Sequence, residues 1–232
     1  MAANGAAADL HMSAPGQDGM AALRARMVEE QLARRGISDE RVLAAMGAVP
    51  RDAFVAPDLR PAAYEDCPLP IGEGQTISQP FIVALMIEAA ELKPGDRVLE
   101  VGAGCGYAAA VMGRIAAQIF GIERHAALGA AARDNLAALG IGNVTIIVGD
   151  GTMGLAQEAP FDAIIVSAGG PEVPPALKAQ LSIGGRLVIP VGTLEREQTL
   201  RKVTRTSETA FPEEDLGLVA FVPLIGEAGW GK

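Results

Sequence analysis

Histidine, cysteine and aromatic side chains are scarce in this chain: two histidines, two cysteines, one tryptophan, two tyrosines and six phenylalanines among 232 residues. Two cysteines, Cys67 and Cys105, are too few for a disulfide framework, and neither stands in a metal-ligand spacing. No metal is expected, and a reducing cytoplasm is the expected setting. Cations are also in deficit, with 19 Lys and Arg against 28 Asp and Glu and a formal charge of −9. No basic cluster is interleaved with aromatics, so a phosphate backbone would be repelled and nucleic acid is not an expected partner. No apolar run reaches the ~18 residues that span a bilayer, because Glu100, Arg114 and Glu123 interrupt the most apolar region. No membrane partner is expected. Residues Met1 to Gly19 lack the basic start and apolar stretch of a secretory signal. They read as a disordered tail.

What is present suits a packed core. Half of the residues are hydrophobic, and the 28 glycines are scattered rather than repeated. At ~150 residues per domain the length fits a single domain over 20–232, and a monomer is expected. Apolar residues at Leu23, Met27, Val28 and Leu32 have helical spacing, closed by Gly36. Ser38 can cap a second helix that Pro50 ends. Residues 51–79 are rich in Pro and Gly and read as irregular but functional. Pro80 suits the first turn of a helix, capped by Ser78 or Gln79, that continues through Leu92. Strand and helix then alternate: strands 97–101, 118–123, 144–148, 161–167 and 186–191, with helices near 106–117, 126–139 and 174–181. That order predicts an α/β fold with a doubly wound, mostly parallel sheet. Two more strands, near 198–206 and 216–223, are expected as an antiparallel pair at its edge. Three spans follow: 20–96 with N-terminal helices and a segment covering the site, 97–192 as the binding core, and 193–232 with the last strands.

The chemistry is concentrated after the first core strand. Leu99-Glu100-Val101-Gly102-Ala103-Gly104-Cys105-Gly106-Tyr107 reads as a buried strand turning tightly into a helix. A dinucleotide turn needs its third glycine one residue later, where Tyr107 stands. Glu100 before the turn would repel a pyrophosphate and suits a cofactor bearing an amino group or positive charge. Glu123 and Asp150 fall at or just after the next two strand ends, with Arg124 and Gly151 beside them. The first acid can accept ribose hydroxyls and the second an adenine amino group. The pattern fits S-adenosylmethionine, held by Glu100, Gly102, Gly104, Gly106, Glu123, Arg124, Asp150 and Gly151. Tyr107 is expected to pack beneath the turn and Cys105 to fill it. With His11 in the tail and His125 placed for a surface or adenine-edge role, no general base is evident. A carboxylate, already ionised, is the acceptor that needs none.

Further blocks carry a family resemblance: Val49-Pro50-Arg51-Asp52-Ala53-Phe54-Val55, Gly74-Gln75-Thr76-Ile77-Ser78-Gln79-Pro80, Gly149-Asp150-Gly151, Gly184-Gly185-Arg186-Leu187-Val188-Ile189-Pro190-Val191-Gly192 and Phe221-Val222-Pro223-Leu224. From about Met20 to Trp230 the chain resembles the protein-L-isoaspartate O-methyltransferases. The resemblance implies a Rossmann-like methyltransferase that esterifies the α-carboxylate of L-isoaspartyl and D-aspartyl residues in damaged proteins and peptides. Product S-adenosylhomocysteine is released, and the ester closes to a succinimide that begins repair. A narrower alternative is the same chemistry on one dedicated peptide or small carboxylic acid. By resemblance Ser78 is the active-site serine, contacting the substrate carboxylate with help from the N-terminus of the next helix. Thr76 and Ile77 face the cofactor, and Gln79, Ala168, Gly169, Gly170 and Pro171 face the substrate. Two departures stand out. Gly169-Gly170 replaces the family's alanines, which implies a more flexible loop, and Thr152 replaces a tryptophan frequent in bacterial relatives.

Overall fold

In the computed structural model, residues 17–194 and 197–231 are described. The tail expected over 1–19 lies outside them as far as residue 16, whereas Gln17 already opens α1, Gln17–Arg26. A π-helical turn, Met27–Leu32, and a 3₁₀ turn, Ala33–Arg35, carry this helix to Gly36, whose φ of 104° ends it. Helix α2, Glu40–Ala48, is capped by Asp39, whose carboxylate accepts from Arg41 N. Ser38, the expected cap, instead donates through N and Oγ to Glu88 Oε1.

The stretch expected to be irregular is more ordered than its composition suggests. It holds two 3₁₀ turns, Arg51–Phe54 and Pro57–Ala62, and an antiparallel hairpin of β1, Leu69–Gly72, and β2, Gln75–Ile77. Glu73 and Gly74 make the hairpin turn at φ 53° and 68°. Two successive positive φ values are what a tight two-residue hairpin requires. Helix α3, Pro80–Ala89, follows.

The chain then winds through β3 (Arg97–Val101), α4 (Tyr107–Met112), β4 (Gln118–Glu123), α5 (Ala126–Ala138), β5 (Val144–Val148), β6 (Phe161–Val166), α6 (Pro175–Ala179), β7 (Leu181–Leu194), β8 (Glu197–Thr204) and β9 (Glu213–Val219). These strands form one sheet in the order β5-β4-β3-β6-β7-β8-β9. It is parallel as far as the β6–β7 pair and antiparallel beyond. Alternation along the strands divides the core between the two faces. Val98, Ile119 and Ala163 pack towards α1–α5, while Leu99, Phe120 and Ile164 pack towards α6 and Leu224. Chain order reverses at β3, with β4 on one side and β6 on the other. The crevice outside their carboxyl ends is where such sheets bind ligands.

Two strand boundaries differ from expectation. Strand β7 begins at Leu181, paired with Phe161, because Gly184-Gly185 forms a bulge rather than a break. Strand β9 occupies Glu213–Val219, not 216–223: its three acids pair through the main chain with Arg201, Lys202 and Val203 on β8. Acids on an edge strand discourage pairing with further chains.

Candidate functional site

Beyond β3 the main chain reverses through Gly102, Gly104 and Gly106, at φ 84°, 53° and 87°. A Cβ on Gly104 would stand 3.1 Å from Ile71 Cδ1 of the hairpin, so the hairpin lies directly on the glycine turn. Beneath the turn Tyr107 is 2% exposed and meets Phe54 edge to face. Cys105 is also buried, and that burial pushes its thiol up to about 12, which is wrong for a nucleophile.

Glu123, buried at the end of β4, accepts from Gly104 N at Oε2 and from His125 N at Oε1, both at 2.8 Å. It clamps the turn and keeps further lone pairs for hydroxyl donors. Glu100 is 1% exposed, and its Oε1 accepts from Ser167 Oγ at 3.2 Å across the switch point. Its Oε2 is buried with no partner. Burial, and secondarily the charge of Glu123, pushes the Glu100 carboxyl up to about 8 against the opposing Ser167 bond. A buried acceptor left open on a cavity wall is matched by an arriving donor or cation.

Asp150 stands elsewhere. Its Oδ1 accepts from Thr152 N and Oγ1, and its Oδ2 from Glu227 N. Partial burial works to raise its pKa, but the bonds from Glu227 and Thr152 win and hold it below the usual carboxylate range. It caps the 3₁₀ turn Gly151–Met153, and its neighbour Gly151 lines the cavity. Thr152, fully buried, ties the same corner to Ala228 N. The C-terminal segment so anchored contributes Val222 to Ile225 to the cavity wall, which gives the block Phe221-Val222-Pro223-Leu224 a place in the site that was not assigned to it from the sequence.

Two adjoining cavities surround the turn. One includes Thr76, Ile77, Ser78, Glu100 and Ser167; the other includes Gly102, Gly104, Glu123, exposed Arg124, His125 and Ala168. An open cleft runs past them along Gln79, Val191, Gln198 and Phe221. Thr76, Ser78 and Ser167 line both the first cavity and the cleft. The second cavity meets the cleft at Thr76, Ser167 and Val222, so both cavities open to it around Thr76 and Ser167.

Of the two residues expected to cap α3, Gln79 holds the position, without a side-chain capping bond, and Ser78 precedes it. Two expectations on the substrate side need correction. The N-terminus of α3 is not open to an anion. Asp66 already accepts from Phe81 N at 3.2 Å and Gln79 Nε2 at 2.6 Å, and pairs with Arg35. Finally, Gly169 and Gly170 are not a flexible loop. Both are buried and bridged, to Pro223 and Val191. A Cβ at Gly169 would lie 2.7 Å from the Gln198 side chain. Close packing, not mobility, is what the glycines permit, and Pro171 lies farther along, beside Lys178 and Glu213. Among the described residues no cluster of His, Cys, Asp or Glu is arranged to hold a metal, and no helix is long and apolar enough to cross a membrane.

Comparison with known proteins points one way. Residues 23–229 match the family described as protein-L-isoaspartate(D-aspartate) O-methyltransferase. A protein-L-isoaspartate O-methyltransferase of Methylorubrum extorquens is 62% identical over 206 residues, 89% of this chain and 90% of that protein. One from Rhodopseudomonas palustris is 57% identical over 212 residues, 91% of this chain and 86% of that protein. Among solved structures, a Plasmodium falciparum protein described as a β-aspartate methyltransferase, in complex with S-adenosyl-L-homocysteine, superimposes with a TM-score of 0.76. It is 30% identical, over 87% of this chain and 98% of its own.

Proposed function

This chain belongs to the protein-L-isoaspartate(D-aspartate) O-methyltransferase family, and from that membership and the geometry of the site we propose how its residues divide the work. It is an S-adenosylmethionine-dependent carboxyl methyltransferase acting on isoaspartyl residues in protein repair. The observation that carries the assignment of roles is the junction of the cofactor cavities with the cleft at Thr76, Ser78 and Ser167. S-adenosylmethionine, when bound, supplies an electrophilic methyl group on a positively charged sulfur.

The residues present fit that group. The unpartnered Glu100 Oε2 answers a cation or amino group, Glu123 keeps acceptor capacity for ribose hydroxyls, and the glycine turn leaves no side chain in the way. Gly102, Gly104, Gly106, Arg124, Gly151, Thr76 and Ile77 complete the cofactor set. Asp150 belongs to it through Gly151 and the C-terminal segment that it anchors. On the other side of the junction Ser78 donates its hydroxyl to the acceptor carboxylate, while Gln79 and Ala168 border it. Gly169 and Gly170 support the cleft wall from behind, through Val191 and Gln198, and Pro171 continues that segment away from the cleft. The carboxylate arrives ionised, so the protein's contribution is alignment and exclusion of water. Such alignment is worth at most roughly 7–11 kcal/mol.

The core at 97–192, the covering segment at 20–96 and the strands at 193–232 all contribute to this one site, which supports a single domain, and a monomer is proposed because its site is lined from one chain. Its two free thiols and net charge of −9 support a cytoplasmic protein that takes damaged proteins and peptides rather than nucleic acid. The test is methyl transfer from labelled S-adenosylmethionine to a matched pair of peptides, one with isoaspartate and one with aspartate. Base-labile label is expected on the isoaspartyl peptide alone; label on neither, with cofactor still bound, would overturn the substrate assignment. Ser78→Ala is expected to raise KM for that peptide about tenfold, the worth of one hydrogen bond to a charged group, while leaving cofactor affinity unchanged.

A further inference from the structure

Arg51 is fully buried in the 3₁₀ turn after α2. Its Nη1 donates to Ala63 O, and its Nη2 donates to Cys67 O at 3.1 Å and Ser78 O at 2.9 Å. Every hydrogen-bond partner it has among the described residues is a main-chain carbonyl, and Nε has none. Burial works against the charge, yet a guanidinium stays protonated in proteins. A buried cation is ordinarily matched by a carboxylate. Here none is paired with it among the described residues: the adjacent Asp52 accepts from the Tyr64 hydroxyl, and Asp66 serves Arg35 and Gln79.

The bond to Ser78 O has a geometric consequence. The Ser78–Gln79 peptide is trans, so its C=O and N–H point in opposite directions. With the oxygen turned inward to Arg51, the Gln79 N–H turns outward, on a segment that lines the cleft, and it has no protein acceptor among the described residues. We propose that Arg51 is a positioning residue for methyl transfer: it locks the Ser78–Gln79 peptide so that Gln79 N–H and Ser78 Oγ–H together cradle the acceptor carboxylate, whose negative charge answers the buried guanidinium behind them. The cradle replaces the α3 N-terminus, which Asp66 occupies. This inference rests on the assignment of Ser78 as the substrate-contacting serine.

Gln79 lies at φ −51° and ψ 133°, a conformation open to proline. Gln79→Pro therefore deletes the N–H, while Gln79→Ala loses the same side chain and keeps it. The readouts are KM for an isoaspartyl peptide, and binding of that peptide against its α-carboxamide analogue with S-adenosylhomocysteine present. The proline variant is expected to show a KM about tenfold above the alanine variant, with equal affinity for S-adenosylhomocysteine. Wild type should prefer the carboxylate peptide over its carboxamide, and Arg51→Lys, which keeps the charge but not the fork, should lose most of that preference. Equal KM values for the two folded Gln79 variants would overturn the cradle, and an unchanged preference in folded Arg51→Lys would overturn the role of Arg51. Should Arg51→Lys fail to fold, the Gln79 pair decides alone; should Gln79→Pro fail, the carboxamide comparison in Arg51→Lys decides. Wild type that methylates no isoaspartyl peptide would instead refute the activity on which the inference rests.

Discussion

Glu100 shows how one carboxyl group can serve two states. In the free protein its folded pKa, about 8, lies well above that of an unfolded chain. Between roughly pH 4.5 and 8 the folded state therefore holds a proton that the unfolded state has released, and stability falls as pH rises through that window. Above about 8 both states are ionised and the loss is complete. Glu100→Gln removes this slope. The free variant is expected to melt higher than wild type at pH 8.5 and to differ less at pH 5, read by thermal unfolding across pH. The same change removes the charge that answers a cationic ligand, so S-adenosylmethionine affinity should fall by roughly 10- to 100-fold, measured calorimetrically. A variant that gained stability and kept affinity would separate Glu100 from cofactor binding.

Among the elements, the β1–β2 hairpin departs most from its reading as irregular chain. Its signal was present in Gly72-Glu73-Gly74, since two glycines around one polar residue permit the positive φ values of a tight turn. The strands are only four and three residues long, too short for any alternation to be read. Ile71 rests on Gly104, and Thr76 lines the cavity, so the hairpin roofs the site while its tip, Gly72 to Gly74, stays exposed. A two-stranded hairpin has little stability of its own. Hydrogen exchange at Gln75–Ile77 is expected to slow by about tenfold or more when S-adenosylhomocysteine fills the cavity beneath it, with β4 little changed. Equal slowing of β4 and the hairpin would mean that ligand stabilises the whole fold rather than this roof. Strand β9 makes the complementary point: its acids read as loop, but backbone pairing with β8 and ion pairs to Arg201 outweigh propensity.

For the molecule as a whole, a formal charge of −9 sets a field that a carboxylate-bearing substrate must approach. Exposed charges act over about 30 Å at 0.01 M salt and about 8 Å at 0.15 M. An isoaspartyl peptide flanked by acidic residues should therefore show a KM that falls as salt rises between those concentrations. One flanked by basic residues should show the reverse, with kcat unaffected in both. Parallel curves for the two peptides would exclude a role for the overall charge.

The sequence by itself determined the doubly wound sheet, because alternating strand and helix periodicities over 97–191 are local patterns that only a parallel sheet satisfies together. It also determined the glycine turn and the acids at strand ends, since tight reversal and ligand approach demand those residue types at those places. Tertiary structure alone decided what distant pieces do to one another. Asp66 claims the α3 N-terminus from 15 positions before Phe81, Gln198 leaves no room for a Cβ at Gly169, and Glu227 takes up the Asp150 carboxylate. Arg51 reaches across the core to turn one peptide unit beside Ser78. Each of these depends on which partner reaches a polar group first in the packed molecule, and no spacing along the chain encodes that competition.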